Sequence, residues 1–260
     1  MKRIIAIALA VIAIVSCMTA CGSKKAASDM ESIQKKGKLV VGITDYAPMD
    51  YPDENGEWTG FDAEYARLFA KELGVDVEFF VLGDWGKKFF ELDSGNIDAI
   101  WNGMTITDEV TLNSSCSNPY VVNAQVVVMK ADVVNDYDYI ESLSDLKFAV
   151  ENGSAGQAAL DDLGITNYVT LQDQAAALME VAAGTSDACV IDITMANAMT
   201  GEGTSYANLS KGISLTSEEY GVAFRKDSDL TAKFNELMAK WMNDGTLDAL
   251  ADKYGLTLVK

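Results

Sequence analysis

The 260-residue sequence contains no histidine, and arginine occurs only at positions 3, 67 and 225. Without histidine the chain cannot form Ser-His-Asp or Cys-His catalytic groups, a histidine zinc site or a histidine pH switch. Cations are scarce in general, because 20 Lys and Arg stand against 39 Asp and Glu, for a formal net charge of −19. Nucleic-acid binding needs basic patches that meet phosphate, so this balance argues against a nucleic-acid partner.

Long apolar runs are also few. Residues 4–15 form an apolar run of 12 residues, too short for a hydrocarbon core that needs about 20. Two basic residues precede the run, which predicts an export signal over residues 1–20. Its end, MTACGS, resembles the lipobox of bacterial lipoproteins. Cys21 is therefore predicted to be the lipidated first residue of a protein anchored at the outer face of the cytoplasmic membrane. Cys17 is a second candidate, and an ordinary export signal is a third reading.

Neither the segment after the predicted export signal nor the remaining cysteines indicates a reactive site. Residues 21–37 are polar and small, without an alternating apolar pattern, and are predicted to be a spacer between the membrane and the folded body. Cys116 and Cys189 are too far apart in the chain to indicate a disulfide framework. We expect two free, packed thiols, with a disulfide as the alternative.

Strand-like runs then alternate with helix-like runs. KLVVGIT (38–44) is β-rich, and apolar residues over 61–73 keep helical spacing. Thr59 and Asp62 are predicted to form a capping box for that helix, and Gly74 to end it. Such alternation is typical of parallel sheets covered by helices.

An acidic turn lies between these two elements. Asn55-Gly56 is a strong hairpin signal, and Asp53, Glu54 and Glu57 surround it. The three acids lack the spacing of an EF-hand loop, so they are interpreted as a solvated hairpin. We expect neither a metal site nor a cofactor.

A short repeat indicates two similar lobes. LDSGNIDAIW (92–101) and VAAGTSDACV (181–190) both end a helix with Gly and continue through Asp-Ala into an apolar strand. Asp98 and Asp187 are interpreted as structural caps of these turns rather than ligands. The predicted boundaries are 38–125 with 223–260 for lobe 1, 126–222 for lobe 2, and hinge strands at about 125–130 and 219–225.

Several motifs carry a resemblance to a known family. The runs SGNIDAIWNGMTITDE, NPY (118–120), VENGSAG (150–156), VID (190–192) and EYGVAFRKD (219–227) resemble the polar amino-acid family of solute-binding proteins that serve ATP-binding-cassette importers. The resemblance implies an α/β, type II periplasmic-binding-protein-like fold, with each lobe a sheet flanked by helices. It also implies a monomer that captures an amino acid or a related amine-bearing solute between the lobes and delivers it to a membrane permease.

An enzyme on the same two-lobed fold, of the lyase or transglycosylase type, is the alternative, because fold does not fix function. Glu151 or Asp45 could act as a general acid or base. The sequence shows no nucleophile paired with a base, so we expect binding rather than catalysis.

The resemblance assigns the two ends of an amino acid to lobe 2. Asp192 ends a strand, where folds of this kind place ligands, and its family counterpart pairs with the ligand ammonium. A helix N-cap is its alternative role. The turn from Gly153 through Ser154 and Ala155 to Gly156 would direct amide groups at a carboxylate, or it is a plain turn.

The remaining site residues come from the resemblance as well. Tyr46 and Trp85 match aromatic positions that sandwich the ligand side chain, with core packing as the alternative for Trp85. Asp45 and Glu151 are further acids that we expect to face the cleft. The residues expected to line lobe 1 are Asn102, Gly103, Thr105 and Thr107, whereas Met104 is expected in the core.

One departure from the family pattern concerns charge. Val110 stands where the family usually has an arginine that binds the ligand carboxylate. Either the amides of residues 153–156 hold the carboxylate with Thr105 and Thr107, or the ligand is more cationic than a neutral amino acid. On the sequence alone, the pocket contains acids and no assigned cation.

Overall fold

A computed structural model describes residues 28–260, so the predicted export signal, Cys17 and Cys21 lie outside the described residues. The helices in this range are α1 (Asp29–Lys36), α2 (Phe61–Leu73), α3 (Lys88–Ser94), α4 (Asp108–Asn113), α5 (Ala155–Asp162), α6 (Gln174–Ala183), α7 (Ile193–Met199), α8 (Asp229–Asn243) and α9 (Thr246–Tyr254). The strands are β1 (Lys38–Ile43), β2 (Tyr51–Pro52), β3 (Trp58–Thr59), β4 (Asp76–Val81), β5 (Ala99–Ile100), β6 (Ser115–Cys116), β7 (Val121–Asn123), β8 (Gln125–Lys130), β9 (Phe148–Glu151), β10 (Tyr168–Leu171), β11 (Ala188–Asp192), β12 (Leu209–Ser214), β13 (Glu218–Tyr220) and β14 (Ala223–Phe224).

Two five-stranded sheets define the two lobes. The first has the order β4-β1-β5-β14-β6 and the second the order β10-β9-β11-β8-β12. β1 pairs in parallel with β4 and β5, and β9 pairs in parallel with β10 and β11. β14 and β8 run antiparallel to their neighbours. Five of the six residues of β1 are buried, as expected for a parallel strand that is covered on both faces. The predicted α/β fold of two sheet-based lobes is confirmed.

The lobes are joined by an antiparallel ribbon of β7 and β13, in which Asn123 pairs with Glu218 and Val121 with Tyr220. The predicted hinge strand at 125–130 is instead an interior strand of the second sheet. The other predicted hinge, 219–225, overlaps β13 but continues into β14 of the first sheet. The five consecutive buried residues of β8 allowed the sequence to predict a strand. The local sequence does not show which strands β8 pairs with.

The first lobe contains a dense aromatic core. The buried face of α8 carries Phe234, whose ring centroid lies 5.0 Å from that of Trp101, 5.2 Å from Phe69 and 5.3 Å from Tyr65. All four side chains are buried. The contacts with Trp101 and Phe69 are edge-to-face. Buried aromatic side chains of this size contribute strongly to the energetics of a core.

The repeat has the same structural role in both lobes. Asp98 Oδ2 accepts a hydrogen bond from the amide of Val40 at 2.8 Å, and Asp187 Oδ2 accepts one from the amide of Lys147 at 2.8 Å. Each carboxylate therefore ties the turn before one strand to the backbone of the neighbouring segment. This confirms the interpretation of both residues as structural. Both Cys116 and Cys189 are free thiols, as expected.

Two local expectations are wrong. The predicted spacer over 21–37 includes α1, which is capped by Ser28 and buries Ile33 against the first lobe. The N-cap of α2 is Gly60 and makes no side-chain capping bond. Asp62 turns inward, where it accepts hydrogen bonds from the amide of Gly103 and the hydroxyl of Tyr120. Among the helices of residues 28–260, none combines the length and hydrophobicity that crossing a membrane demands.

Candidate functional site

A cavity of about 250 Å³ lies between the two lobes. It is bounded by the loops that follow β5, β9 and β11, where parallel strands end. Both lobes contribute its walls: Trp85, Lys88, Asn102, Gly103, Met104, Thr105, Thr107, Asp108, Glu109 and Val110 from the first, and Gln125, Glu151, Gly153, Ser154, Ala155, Ala158, Gln174 and Asp192 from the second. Enclosure by two lobes with a few convergent polar groups is typical of a small-molecule site.

The wall from the first lobe contains several residues that the sequence analysis expected in the site, among them Trp85, which also packs in the core. Trp85, Gly103 and Thr105 all line the cavity. Asn102 also lines it, but its amide is committed to Thr44, donating to Oγ1 at 2.7 Å and accepting from the backbone N–H at 3.0 Å. This pair fixes the loop after β5, so the side chain of Asn102 positions its neighbours as much as it offers contacts. Met104, expected in the core, both packs in the core and lines the cavity.

Thr107 and Val110 form the edge of this wall. Thr107 is the N-cap of α4, where its hydroxyl accepts a hydrogen bond from the Val110 amide at 3.2 Å. Thr107 is therefore partly committed to its own helix. The side chain of Val110 is buried and lines the cavity, so it contributes an apolar surface at this point.

Asp192 is held by side-chain amides. Its Oδ1 accepts from Asn123 and, at 2.7 Å, from Gln125, while its Oδ2 accepts from Gln174. Asp192 occupies the N-cap position of α7, but its side chain makes no capping hydrogen bond to the helix. Burial first, and the nearby charge of Glu218 second, raise the pKa of Asp192 from 3.8 to about 7, against the lowering effect of the amides.

Glu218, on the ribbon between the lobes, was not found by sequence reasoning. Its Oε1 accepts from Thr105 at 2.8 Å and from Asn123 and Gln125 at 2.6 Å. Asn123 and Gln125 thus donate to Asp192 and Glu218 together. The sequence EEY (218–220) predicts only a strand that passes from the surface into the core. The polar partners of Glu218 lie about a hundred residues away in the chain.

Glu151 is a second buried acid of the cavity, with 4% of its surface exposed. Its Oε1 has no hydrogen-bond partner among residues 28–260. Burial, followed by the charges of Asp192 and Asp173, raises the pKa of Glu151 well above its usual range. An unpartnered buried oxygen is costly, and this one borders a space that a hydrogen-bond donor could enter.

Lys88 supplies the cation that sequence reasoning missed. It is only 3% exposed, and its Nζ donates to the backbone oxygen of Gly153 in the other lobe at 2.9 Å. The Nζ also lies 5.1 Å from the ring centre of Trp85 and 5.0 Å from that of Phe89. Burial lowers its pKa, although neighbouring acids oppose the shift, Glu109 most strongly. The sequence signal that could have identified Lys88 was its position on the apolar helix face that carries Trp85, Phe89 and Leu92.

The turn at the start of α5 offers free amides. Ser154 caps the helix, accepting from the Gln157 amide at 3.1 Å, and the Gly153 amide donates to the side chain of Gln157 at 2.8 Å. The amides of Ala155 and Gly156 have no acceptor within the described part of the chain. Free N–H groups at a helix N-terminus favour an anion.

A family model, "Bacterial extracellular solute-binding proteins, family 3", matches residues 39–257. The chain belongs to this family. Among curated relatives, the L-cystine-binding protein TcyJ of Escherichia coli (strain K12) is 28% identical over 86% of this chain and 85% of its own length. The arginine-binding extracellular protein ArtP of Bacillus subtilis (strain 168) is 30% identical over 91% and 92%.

A solved structure of the ancestral amino-acid-binding protein AncCDT-1, a precursor of cyclohexadienyl dehydratase, superposes with a TM-score of 0.79 at 33% identity, covering 87% of this chain and 99% of that one. The names of these relatives describe binding proteins, so the family-3 assignment favours binding over the enzyme alternative. The family description, extracellular solute-binding proteins, also indicates a location outside the cytoplasmic membrane, periplasmic or extracellular.

Two expected site residues of this family-3 protein lie elsewhere. The ring of Tyr46 is 2% exposed, and its hydroxyl is hydrogen-bonded to those of Thr194 and Tyr220. It packs behind Gly103 and is not part of the cavity lining, so it does not form an aromatic sandwich with Trp85. Asp45 is exposed and also outside the lining. An aromatic next to a Pro-containing loop looks the same in sequence whether it faces a ligand or the core.

Proposed function

We propose that this protein captures an amino acid or a related small amine-bearing solute between its lobes and delivers it to an ATP-binding-cassette importer. The observation that carries the proposal is Asp192, a buried acid that lines the cavity and is oriented by three side-chain amides. A buried carboxylate without a cation nearby is poorly stabilised. A ligand ammonium would supply the missing counter-charge.

The other end of an amino acid would meet the amide of Ala155, a residue that lines the cavity. Thr105, on the opposite wall, would contact the same ligand from the first lobe. A solute that touches both lobes stabilises the closed arrangement over the open one, which is the hinge mechanism of capture. No covalent step is needed. In this proposal the protein acts as a monomer.

The experiment is a thermal-shift panel of the L-amino acids, L-cystine, L-ornithine and the amines that lack their carboxylates, followed by calorimetry of the best ligand on Asp192→Asn. Removing one partner of a buried pair costs about 3–5 kcal/mol, so affinity should fall between roughly 100-fold and several thousand-fold. Asp132→Asn, at an exposed acid of the second lobe, is the matched control. Undiminished affinity of Asp192→Asn would show that the ammonium lies elsewhere.

We also propose that Cys21 carries a lipid anchor, as its lipobox-like context suggests. The test is fractionation of cells that express Cys21→Ser or Cys17→Ser. Only Cys21→Ser should leave the membrane fraction. Release by Cys17→Ser instead would move the anchor to that residue, and release by neither variant would contradict lipid anchoring.

A further inference from the structure

The cavity contains a buried ammonium, that of Lys88, which has acids nearby but no direct ion-pair partner among the described residues. No carboxylate among residues 28–260 lies within salt-bridge distance of the Lys88 ammonium, and its hydrogen bond is to a neutral backbone oxygen. Buried charges in proteins are paired, because an isolated ion loses its hydration without compensation. An anion inside the cavity would therefore stabilise the Lys88 ammonium.

The surroundings of Lys88 place that anion. Its acceptor, the oxygen of Gly153, belongs to the residue just before the capped N-terminus of α5. The free amide of Ala155 follows two residues later, and Ala155 and Lys88 line the same cavity. An ammonium from lobe 1 and a helix amide from lobe 2 converge on one region, which is the arrangement that binds a carboxylate.

Acidic side chains line the cavity from both lobes: Glu109 from the first, and Glu151 and Asp192 from the second. Glu151 and Asp192 are both buried, and neither makes an ion pair within the described residues. A purely cationic amine would neutralise them but would bring a like charge into the cavity with Lys88. A dipolar ligand satisfies both groups together.

We propose that Lys88 binds the ligand carboxylate, in place of the arginine that Val110 does not supply, and that the protein therefore requires a carboxylate-bearing amino acid rather than an amine. This inference rests on the proposed function and makes it more specific. A lysine reaches this point from α3 of lobe 1, on the side of the cavity formed by Trp85. The carboxylate would then join the two lobes directly.

The test compares the amino acid that gives the largest thermal shift with its carboxamide, in which the carboxylate is replaced by a neutral group of the same shape. Calorimetry is performed on the wild type, Lys88→Met and Lys88→Arg. Met preserves the length and packing of the side chain against two aromatic rings. Lys87→Met is the matched control, because Lys87 is exposed and pairs only with Asp84 at 3.6 Å.

The wild type should bind the amino acid about 10- to 100-fold more tightly than the carboxamide, as expected for a charge-assisted hydrogen bond. Lys88→Met should remove most of that preference, Lys88→Arg should retain part of it, and Lys87→Met should not change it. Melting temperatures establish that each variant is folded.

Other results would overturn the inference. Equal losses for amino acid and carboxamide in Lys88→Met would make Lys88 a structural contact. Tighter binding of amines than of amino acids by the wild type would place a cation-only ligand in the cavity. If no amino acid or amine in the panel raises the melting temperature of the wild type, the proposed function itself fails.

Discussion

Closure of the cleft depends on a close approach of two glycines, and Gly153→Ala tests this dependence. Gly153 belongs to the second lobe, and a Cβ built on it would lie 2.7 Å from the Cα of Gly86 in the first. That distance is shorter than carbon atoms tolerate, and the neighbour is backbone, which cannot rotate away. The added methyl group should therefore prevent the lobes from meeting where Lys88 crosses between them.

Two separate costs follow from the substitution. Gly153 has a φ of +68°, and alanine in this left-handed region costs about 1–2 kcal/mol of folding stability. The clash adds about 1–3 kcal/mol, as overpacking does elsewhere, but only when the lobes are together. The second cost lowers ligand affinity by roughly 5- to 150-fold.

Gly164→Ala separates the two costs. Gly164 lies in the same lobe with a φ of +72°, and a Cβ there meets no atom within 4 Å. Both variants should lose similar stability in urea, whereas only Gly153→Ala should bind more weakly by calorimetry and contract less on ligand addition in small-angle X-ray scattering. A Gly153→Ala protein with wild-type affinity and wild-type contraction would refute the proposed contact between the lobes.

Three further predictions concern stability. Phe234→Ala should lower the free energy of unfolding by about 3–5 kcal/mol in urea titrations, whereas Phe90→Ala, at a side chain that is 68% exposed, should change it by less than about 0.5 kcal/mol. Burial raises the pKa of Asp62 to about 7. This carboxyl therefore stays protonated in the folded chain up to near pH 7 but ionises near pH 4 when unfolded. The free energy of unfolding of the ligand-free protein should then rise by about 1.4 kcal/mol per pH unit below 7 for each such acid. The melting temperature should rise with it as the pH falls from 8 to 5.5; an unchanged or falling melting temperature would contradict this prediction. Finally, a reducing agent should leave the melting temperature unchanged, because both cysteines of the described chain are free thiols.

Features that depend on neighbouring residues were predictable from the sequence. Gly74 and Gly184 end helices in the left-handed conformation, as their positions after apolar periodic runs indicate. Asp98 and Asp187 were recognised as structural because a repeated motif carries them. Local chain geometry is sufficient for such features, so one sequence predicts them.

Features that depend on contacts between the lobes were not predictable from the sequence. Lys88 becomes a cavity cation only because the oxygen it binds is 65 residues away, and a lysine beside two aromatics reads as an exposed end of an amphipathic helix. Tyr46 is buried because its hydroxyl meets residues 148 and 174 positions away.

The ribbon between the lobes also has a kinetic consequence. Asn123 lies on β7 and its partner strand carries Glu218, yet the same amide group also holds Asp192. The carboxylate proposed to bind the ligand ammonium is thus fastened to the strands that must bend when the lobes separate. Bending of the ribbon should therefore also disturb the carboxylate proposed to hold the ammonium. A substitution at Asn123 should change both the residence time of a solute and the flexibility of the ribbon.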